Sequence, residues 1–427
     1  MNLLNLEDWN VLNIESNEHD YRISAEPIPT PTACIYCKSS TIVRFGKRDH
    51  RVMDLPTHGK RMGIVVQRRR FLCNTCHRTF SEALPDVDEK HDMTCRLVEY
   101  IKRQALRQPF THVADEVGID EKLVRLIFQE FTEKQKATHT FVTPTHLGID
   151  EVHLANQMRC VLANVKERTV IDVLKDRNKK TVLRYLNTLP DRDTIEVVAI
   201  DMWEPYYDAA TLALPGAKVV IDHFHIVKMA NEALDRVRKE VRIDLSDRQR
   251  RTLMHDKYIL LRREKDLDEK KRLILDAWTL NFPLLGKAYR LKEDFFDIWK
   301  ALDRSAAIVA FREWKASIPE ELEPAFKPLL TALGNWHNEI LNYWDAPYTT
   351  AYVEALNGLI KVENRLGRGY SFEALRAKIL YSKGLHVQYR PKYGTGFDQP
   401  KDVDHQQQLT YGVSISTLTR LIEEGGF

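Results

Sequence analysis

Three acids constrain this chain more than any other feature. Asp150 in His-Leu-Gly-Ile-Asp-Glu and Asp201 in Val-Val-Ala-Ile-Asp-Met-Trp sit at the edge of strand-sized apolar runs, and Glu354 in Tyr-Val-Glu-Ala-Leu-Asn-Gly-Leu-Ile-Lys sits in a strongly periodic segment. Segments of this kind are buried on folding, and a carboxylate left uncompensated beside them is costly. A shared cation removes that cost. Magnesium takes oxygen ligands and keeps open positions for water and phosphate, so the pattern predicts a fold that gathers three remote segments around Mg2+ or Mn2+.

At 427 residues, 43% hydrophobic and 29% charged, the chain has room for roughly two to four domains. It holds no apolar run of about 18 residues or more. The N-terminus from Met1 to Tyr21 lacks the basic-then-apolar order of a secretory signal, so a cytosolic protein is expected. Four of the six cysteines form two close pairs, Cys34-x-x-Cys37 and Cys73-x-x-Cys76, with 35 residues between them. Two such pairs suit a tetrahedral structural zinc site, closed to water, rather than a disulfide framework. Strand-like runs at Thr41–Phe45 and Gly63–Phe71 predict a β-rich zinc ribbon with a long hairpin over residues 29–85, after an N-terminal segment 1–28. Cys95 and Cys160 have no nearby partner and are expected as small buried apolar residues.

The net charge of +3 is unevenly spread. From Lys38 to Arg78 there are eleven Lys or Arg against Asp49 and Asp54, a local +9, which leaves −6 for the remainder. A basic block beside a near-neutral body is the footprint of a phosphate-binding module; Arg68, Arg69 and Arg70 are its densest run. Residues 90–136 then read as a helix-turn-helix: Thr94–Gln108 is helical, Thr111 can cap a short helix, Gly118 makes the turn, and Asp120 caps a second helix with Val124, Ile127 and Phe128 inward. Lys122, Arg125, Leu126 and Gln129 would face a DNA groove. An ordinary helical hairpin is the alternative.

From His146 the pattern changes to strand-sized runs: Leu147–Val152, Cys160–Val165, Val170–Leu174, a helix at Lys179–Leu189, then Val197–Ile200 and Val219–Ile221. An α/β sheet with an antiparallel start suits an RNase H-like core, with Asp150 near the centre of its first strand and Asp201 at the end of its fourth. Glu354 must arrive on a helix. At 100° per residue, Glu354, Asn357, Lys361 and Arg365 fall within about 80° of one another, and Val353, Leu356, Leu359, Ile360, Val362 and Leu366 occupy the other half. That stripe would bring Glu354 to a metal while Asn357, Lys361 and Arg365 contact phosphates.

The Cys-x-x-Cys pairs, the helix-turn-helix, Gly-Ile-Asp-Glu, Ala-Ile-Asp-Met-Trp-Glu-Pro-Tyr, Val-Ile-Asp-His-Phe-His-Ile-Val-Lys at 220–228 and the Glu354 helix, in this order, resemble the ISL3 family of bacterial insertion-sequence transposases over about residues 30–390. The resemblance implies a DDE active site on an RNase H-like fold, with the three acids at Asp150, Asp201 and Glu354. It implies a cytoplasmic, nucleoid-associated enzyme that binds the terminal inverted repeats of its element in double-stranded DNA and performs Mg2+-dependent cleavage and strand transfer as a homodimer or larger assembly. Asp222, His223 and His225 would add phosphate contact, support to the acids, or a further metal ligand.

The expected architecture is therefore multidomain α/β, with the core in two parts, 145–228 and 345–392, interrupted by an all-helical insertion over 229–344. Trp278, Trp299, Trp314, Trp336 and Trp344 are expected in the core of that insertion rather than as platforms for DNA bases. A tail, 393–427, holds one possible terminal helix at Leu409–Ile422. Two other classes fit parts of the pattern: a transposase-derived DNA-binding regulator without catalysis, and an RNase H-like nuclease without joining activity.

Overall fold

A computed structural model describes residues 4–138, 142–367 and 369–382; the expected helix at Leu409–Ile422 lies outside the described residues. The N-terminal sheet is built on a long hairpin, and its strands are β1 Trp9–Ser16, β2 Asp20–Pro27, β3 Ile42–Thr57, β4 Lys60–Cys73, β5 Thr79–Ser81, β6 Val87–Asp88 and β7 Met93–Thr94. They lie in the order β1-β2-β4-β3-β7-β6, with β5 also paired to β4. His58 and Gly59 turn the hairpin with φ of 54° and 75°, the left-handed geometry that matches strand twist in a two-residue turn. Alternation then decides the faces: Met62, Ile64 and Val66 point inward with Val52, Ile23, Ala25 and Trp9.

Two sequence expectations need correction here. The segment 1–28 is not separate from the ribbon, because β2 pairs parallel with β4 from Asp20↔Arg61 to Ala25↔Val66 and buries Ile23 and Ala25 against it. Cys95 is exposed, at the first position of a helix, while Cys160 is buried as expected.

Three helices follow: α1 Cys95–Arg107, α2 Phe110–Val117 and α3 Glu121–Thr138. Thr94 caps α1 by accepting from the Leu97 amide. Thr111 does not cap α2; the helix starts one residue earlier behind Pro109, and the orphan amide of Phe110 donates to the Tyr370 hydroxyl at 2.9 Å. Gly118 adopts φ 76°, and a Cβ there would meet Arg61 Cδ at 2.6 Å. Val124, Ile127 and Phe128 are buried as expected. They join one apolar cluster that continues into the second sheet and the last two helices.

The second sheet contains β8 His146–Leu154, β9 Gln157–Asn164, β10 Thr169–Val173, β11 Val197–Ile200 and β12 Lys218–Ile221, in the order β10-β9-β8-β11-β12. The first three are antiparallel, and β11 runs parallel to both β8 and β12. β8 is central, so both its faces are covered. Leu147 and Ile149 pack with α4 Lys179–Thr188 and α5 Glu204–Ala213, while Val152 and Leu154 join the opposite cluster.

Between β12 and the Glu354 segment the regular elements are all helical: α6 His223–Val241, α7 Asp247–His255, α8 Lys257–Leu261, α9 Glu269–Asn281, α10 Pro283–Ile298, α11 Arg304–Ala316, α12 Glu323–Asn335 and α13 His337–Leu341. α6 continues from the sheet through the expected boundary at 228 and serves as the spine against which α10 and α12 pack. Trp278 and Trp314 are core residues. Trp299, Trp336 and Trp344 are half-buried, the first and last stacked at 5.0 Å. The chain returns to the sheet with α14 Ala351–Gly367 and ends, among the described residues, with α15 Phe372–Tyr381.

Candidate active site and metal centres

The register of the central strands places two acids side by side. Ile149 pairs with Ile200 across the parallel β8 and β11 strands, so Asp150 and Asp201, one residue further on, emerge as neighbours. Asp150 points to the face covered by α14, and Gly148 on the same face makes that coverage possible. A Cβ on Gly148 would lie 2.9 Å from Val353 Cγ2 and 2.5 Å from Val165 Cγ1, contacts that a folded core does not tolerate. Glu354 follows Val353 in the first turn of α14 and is the most exposed of the three acids, 47% against 18% for Asp201.

Between two of the acids, Asp201 and Glu354, stands the ring of His225. Its Nε2 lies 2.9 Å from Asp201 Oδ1 and 3.3 Å from Glu354 Oε1. Burial works against the charged ring, yet the two carboxylates hold its pKa up to about 10. Burial together with the Asp201 charge pushes Asp150 up to about 7, and burial also raises Asp201 against the pull of His225. Among the described residues, Asp222, His225 and Glu354 form one set whose ligand atoms lie within 4.8 Å of one another, and the four cysteines form the other.

The remaining neighbours are positioned rather than open. Asp222 is fully buried; it caps α6 through the Phe224 amide and accepts from the amide and hydroxyl of Thr350, just before α14. His223 turns away into the rings of Phe224, Trp299 and Tyr343, and burial lowers its pKa. Asn357 does not face solvent as expected for a phosphate contact. It is buried, and its amide donates to Asp150 Oδ2 at 2.7 Å and to the Glu151 carbonyl at 3.1 Å. Lys361 and Arg365 are exposed along the same helix, but so are Val362 and Leu366, which the sequence pattern put on the inner half.

The basic block divides in a way the sequence did not indicate. Arg69 is a clamp: it pairs with the buried Glu82 at 2.6 Å and donates to the carbonyls of Pro27 and Pro29. Arg68 holds the Glu82 carbonyl and Glu89, each at 2.7 Å. Arg70 lies over the Phe45 ring, 5.8 Å from its centroid. Arg44, Arg48 and Arg51 on β3 are exposed instead, beside Phe45 at 51%. On α3, Lys122 and Gln129 are exposed, whereas Arg125 is tied to Glu121 and lies over Phe110.

At the far end of the hairpin, two matching loops present the cysteines. In each, the residue after the second cysteine is left-handed, Lys38 at 61° and His77 at 54°, and its amide returns to the carbonyl of the first cysteine. The sulphur pairs Cys34–Cys76 and Cys37–Cys73 lie 3.7 and 3.5 Å apart. Zn–S bonds of about 2.3 Å in a tetrahedron require about 3.8 Å between sulphurs, so the donor set fits zinc. The Cys76 amide pulls the Cys73 thiol down to about 6, which favours the thiolate that a metal needs.

A carboxylate-bearing α/β sheet behind a four-cysteine module defines a class of nucleic-acid enzyme, and the comparisons with known proteins agree on it. The ISL3-type DDE transposase model, described as "Transposase", matches residues 147–379, and the model for the zinc-finger of the IS204, IS1001, IS1096 and IS1165 transposases matches residues 30–76. The chain belongs to the ISL3 transposase family. Among its relatives, the transposase for insertion sequence element IS1001 of Bordetella parapertussis is 27% identical over 328 residues, covering 75% of this chain and 80% of the relative. No helix among the described residues is long and apolar enough to cross a membrane.

Proposed function

We propose that this transposase binds the terminal inverted repeats of its insertion sequence and cuts and joins DNA strands at a divalent-metal site formed by Asp150, Asp201 and Glu354. The observation that carries the proposal is that Asp150 on β8 and Asp201 directly after β11 leave neighbouring parallel strands, with Glu354 at the start of α14 joined to Asp201 through His225. The order β10-β9-β8-β11-β12 with β11 parallel to its neighbours supports reading the sheet as an RNase H-like core, and the helices from α6 to α13 as an insertion between the second and third acids. Magnesium or manganese held by the three carboxylates would lower the pKa of a bound water and stabilise the leaving oxygen.

The rest is the work of side chains. Asn357 fixes one oxygen of Asp150, so that its other oxygen has a defined direction, and the Glu151 amide at 2.6 Å holds that second oxygen in place. His225 sets the separation of Asp201 and Glu354. In the first step an oxygen of water bonds to phosphorus while the P–O3′ bond breaks, leaving a 5′-phosphate and a 3′-hydroxyl. In the second, that hydroxyl bonds to a target phosphorus and displaces another 3′ oxygen. Coupling two element ends calls for a dimer or larger assembly on DNA. Zinc at the four cysteines supports the ribbon, and exposed cations there and on α3 meet double-stranded DNA.

The test is an assay with DNA carrying the element's own ends and Mg2+ or Mn2+. Asp150→Asn, Asp201→Asn and Glu354→Gln are each expected to lower cleavage by at least about a thousandfold and to leave end binding within a few-fold. Supplying a pre-cut 3′-hydroxyl end tests joining separately. Full cleavage by any one variant removes that residue from the site.

A further inference from the structure

Lys378 on α15 is a buried cation that the acid site does not use; it is 1% exposed. Its Nζ donates to the carbonyls of Ala105 at 2.6 Å and Gln108 at 2.9 Å, at the end of α1. The helix cannot satisfy Ala105 itself, because the residue four positions on is Pro109, which has no amide hydrogen. The rings of Phe110 and Tyr370 lie 5.2 and 5.3 Å from the same nitrogen. An ammonium has three donors and no acceptor, so two carbonyls and two ring faces meet its needs. Tyr370 grips the same junction: its hydroxyl accepts from the Phe110 amide at 2.9 Å, and the two rings lie 4.6 Å apart.

The other side of α15 holds the catalytic sheet. Arg376 is two residues from Lys378, about 200° around the helix, and donates through Nε and Nη2 to the two oxygens of Asp172 on β10, each at 2.7 Å. At the end of α14 a Cβ on Gly367 would meet the Tyr370 ring at 2.2 Å, so that ring is seated against the helix that carries Glu354. On α3 the stripe Lys122, Leu126 and Gln129 is left exposed. The apolar cluster shared by these elements would tolerate small slips by itself. The buried ammonium does not, because a shift of α1 along α15 would leave its charge inside the core without the carbonyls that compensate it. We infer that Lys378 and Tyr370 lock the helix-turn-helix to the catalytic sheet as one rigid body, a ruler that sets how many base pairs separate the sequence read by α3 from the phosphate that is cut. Both are positioning residues. The inference rests on the proposed function, from which it takes the reading helix and the cutting site.

Two measurements test it. In the first, spin labels on the exposed Cys95 of α1 and on Lys166→Cys, an exposed position in the turn after β9, report the distance between reader and sheet in the full chain, with zinc present to shield the ribbon cysteines. A single narrow distance is expected, the same with and without DNA, and Lys378→Met should broaden it. Tyr370→Phe, which removes one hydrogen bond and no charge, is the milder variant and should broaden it less. In the second, one or two base pairs are inserted between the duplex protected by the helix-turn-helix and the cut phosphate. The cut should move with the protected sequence, by one or two nucleotides, and Lys378→Met should bind the ends as before but spread its cuts over neighbouring phosphates.

A broad or DNA-dependent distance in the full chain overturns the inference, and so does a width that neither variant alters. A cut that stays at the original phosphate after insertion overturns it as well, as does a Lys378→Met chain that still cuts at one position. The distance readout does not require cleavage. Failure of the proposed chemistry would instead show as absent cleavage of the unaltered end with the narrow distance intact.

Discussion

Gly148 illustrates how much one missing atom decides. It lies two residues before Asp150 on the face that α14 covers, and the absence of a side chain lets Val353 approach the strand. Gly148→Ala is expected to cost on the order of 1–3 kcal/mol by overpacking and to move Glu354 away from the other acids. Activity should therefore fall further than thermal stability alone explains, with metal affinity measured by titration as the separate readout.

Asp150 gives a prediction in pH. Its carboxyl is raised from 3.8 to about 7 in the folded protein, so between those values the folded state holds a proton that the unfolded chain has released. The contribution to stability is present below about pH 4 and is lost as pH rises through 7. A divalent cation held by the acids, as proposed, would reverse that loss. Mg2+ or Mn2+ is expected to raise the melting temperature more at pH 8 than at pH 6, and Asp150→Asn should raise the metal-free melting temperature while removing most of the metal effect. An equal metal shift at both pH values, or one retained in the variant, contradicts this.

Among the elements, the hairpin of β3 and β4 separates two kinds of arginine that share one composition. Arg69 neutralises Glu82, a carboxylate only 1% exposed, and Arg69→Ala should cost about 3 kcal/mol by leaving a buried charge unpaired. Chemical denaturation would register it whether or not DNA is present. Arg44→Ala with Arg48→Ala should leave stability within about 0.5 kcal/mol and weaken DNA binding at every sequence, lowering the dependence of log K on log salt by up to about 2. The opposite assignment would invert both results. The helices carry a comparable distinction: Asp222 reads as a site residue by its motif, yet its carboxylate fastens the start of α6 to Thr350 and so sets where α14 begins.

At the scale of the molecule, the four-cysteine end stands on a small apolar cluster of its own, Cys34, Phe71, Cys73 and Phe80, apart from the core that holds the rest of that sheet. Stripping zinc with a chelator should therefore raise hydrogen exchange at residues 34–41 and 73–80 and lower DNA affinity, leaving exchange in β8 and β11 unchanged. Global unfolding on chelation would mean the ribbon is needed by the rest of the chain. The helices between Asp222 and Glu354, by contrast, share one core with the sheet, so they are not expected to melt independently.

The sequence by itself singled out the three acids as candidates and determined the cysteine pairs, the strand runs from Leu147 to Ile221, the turn at Gly118 and the family resemblance, because these depend on local periodicity and on short motifs with few structural solutions. Tertiary structure alone decided that the N-terminal strands extend the ribbon sheet, that Asn357 serves Asp150, that His225 bridges Asp201 and Glu354, and that Arg69 is a clamp. The physical reason is common to all four. A residue's type and spacing state what it needs, whether burial, a partner or a charge, but the partner that meets the need lies elsewhere in the chain, from 13 positions away for Arg69 and Glu82 to 207 for Asn357 and Asp150, and is chosen only when the packed elements bring it within bonding distance.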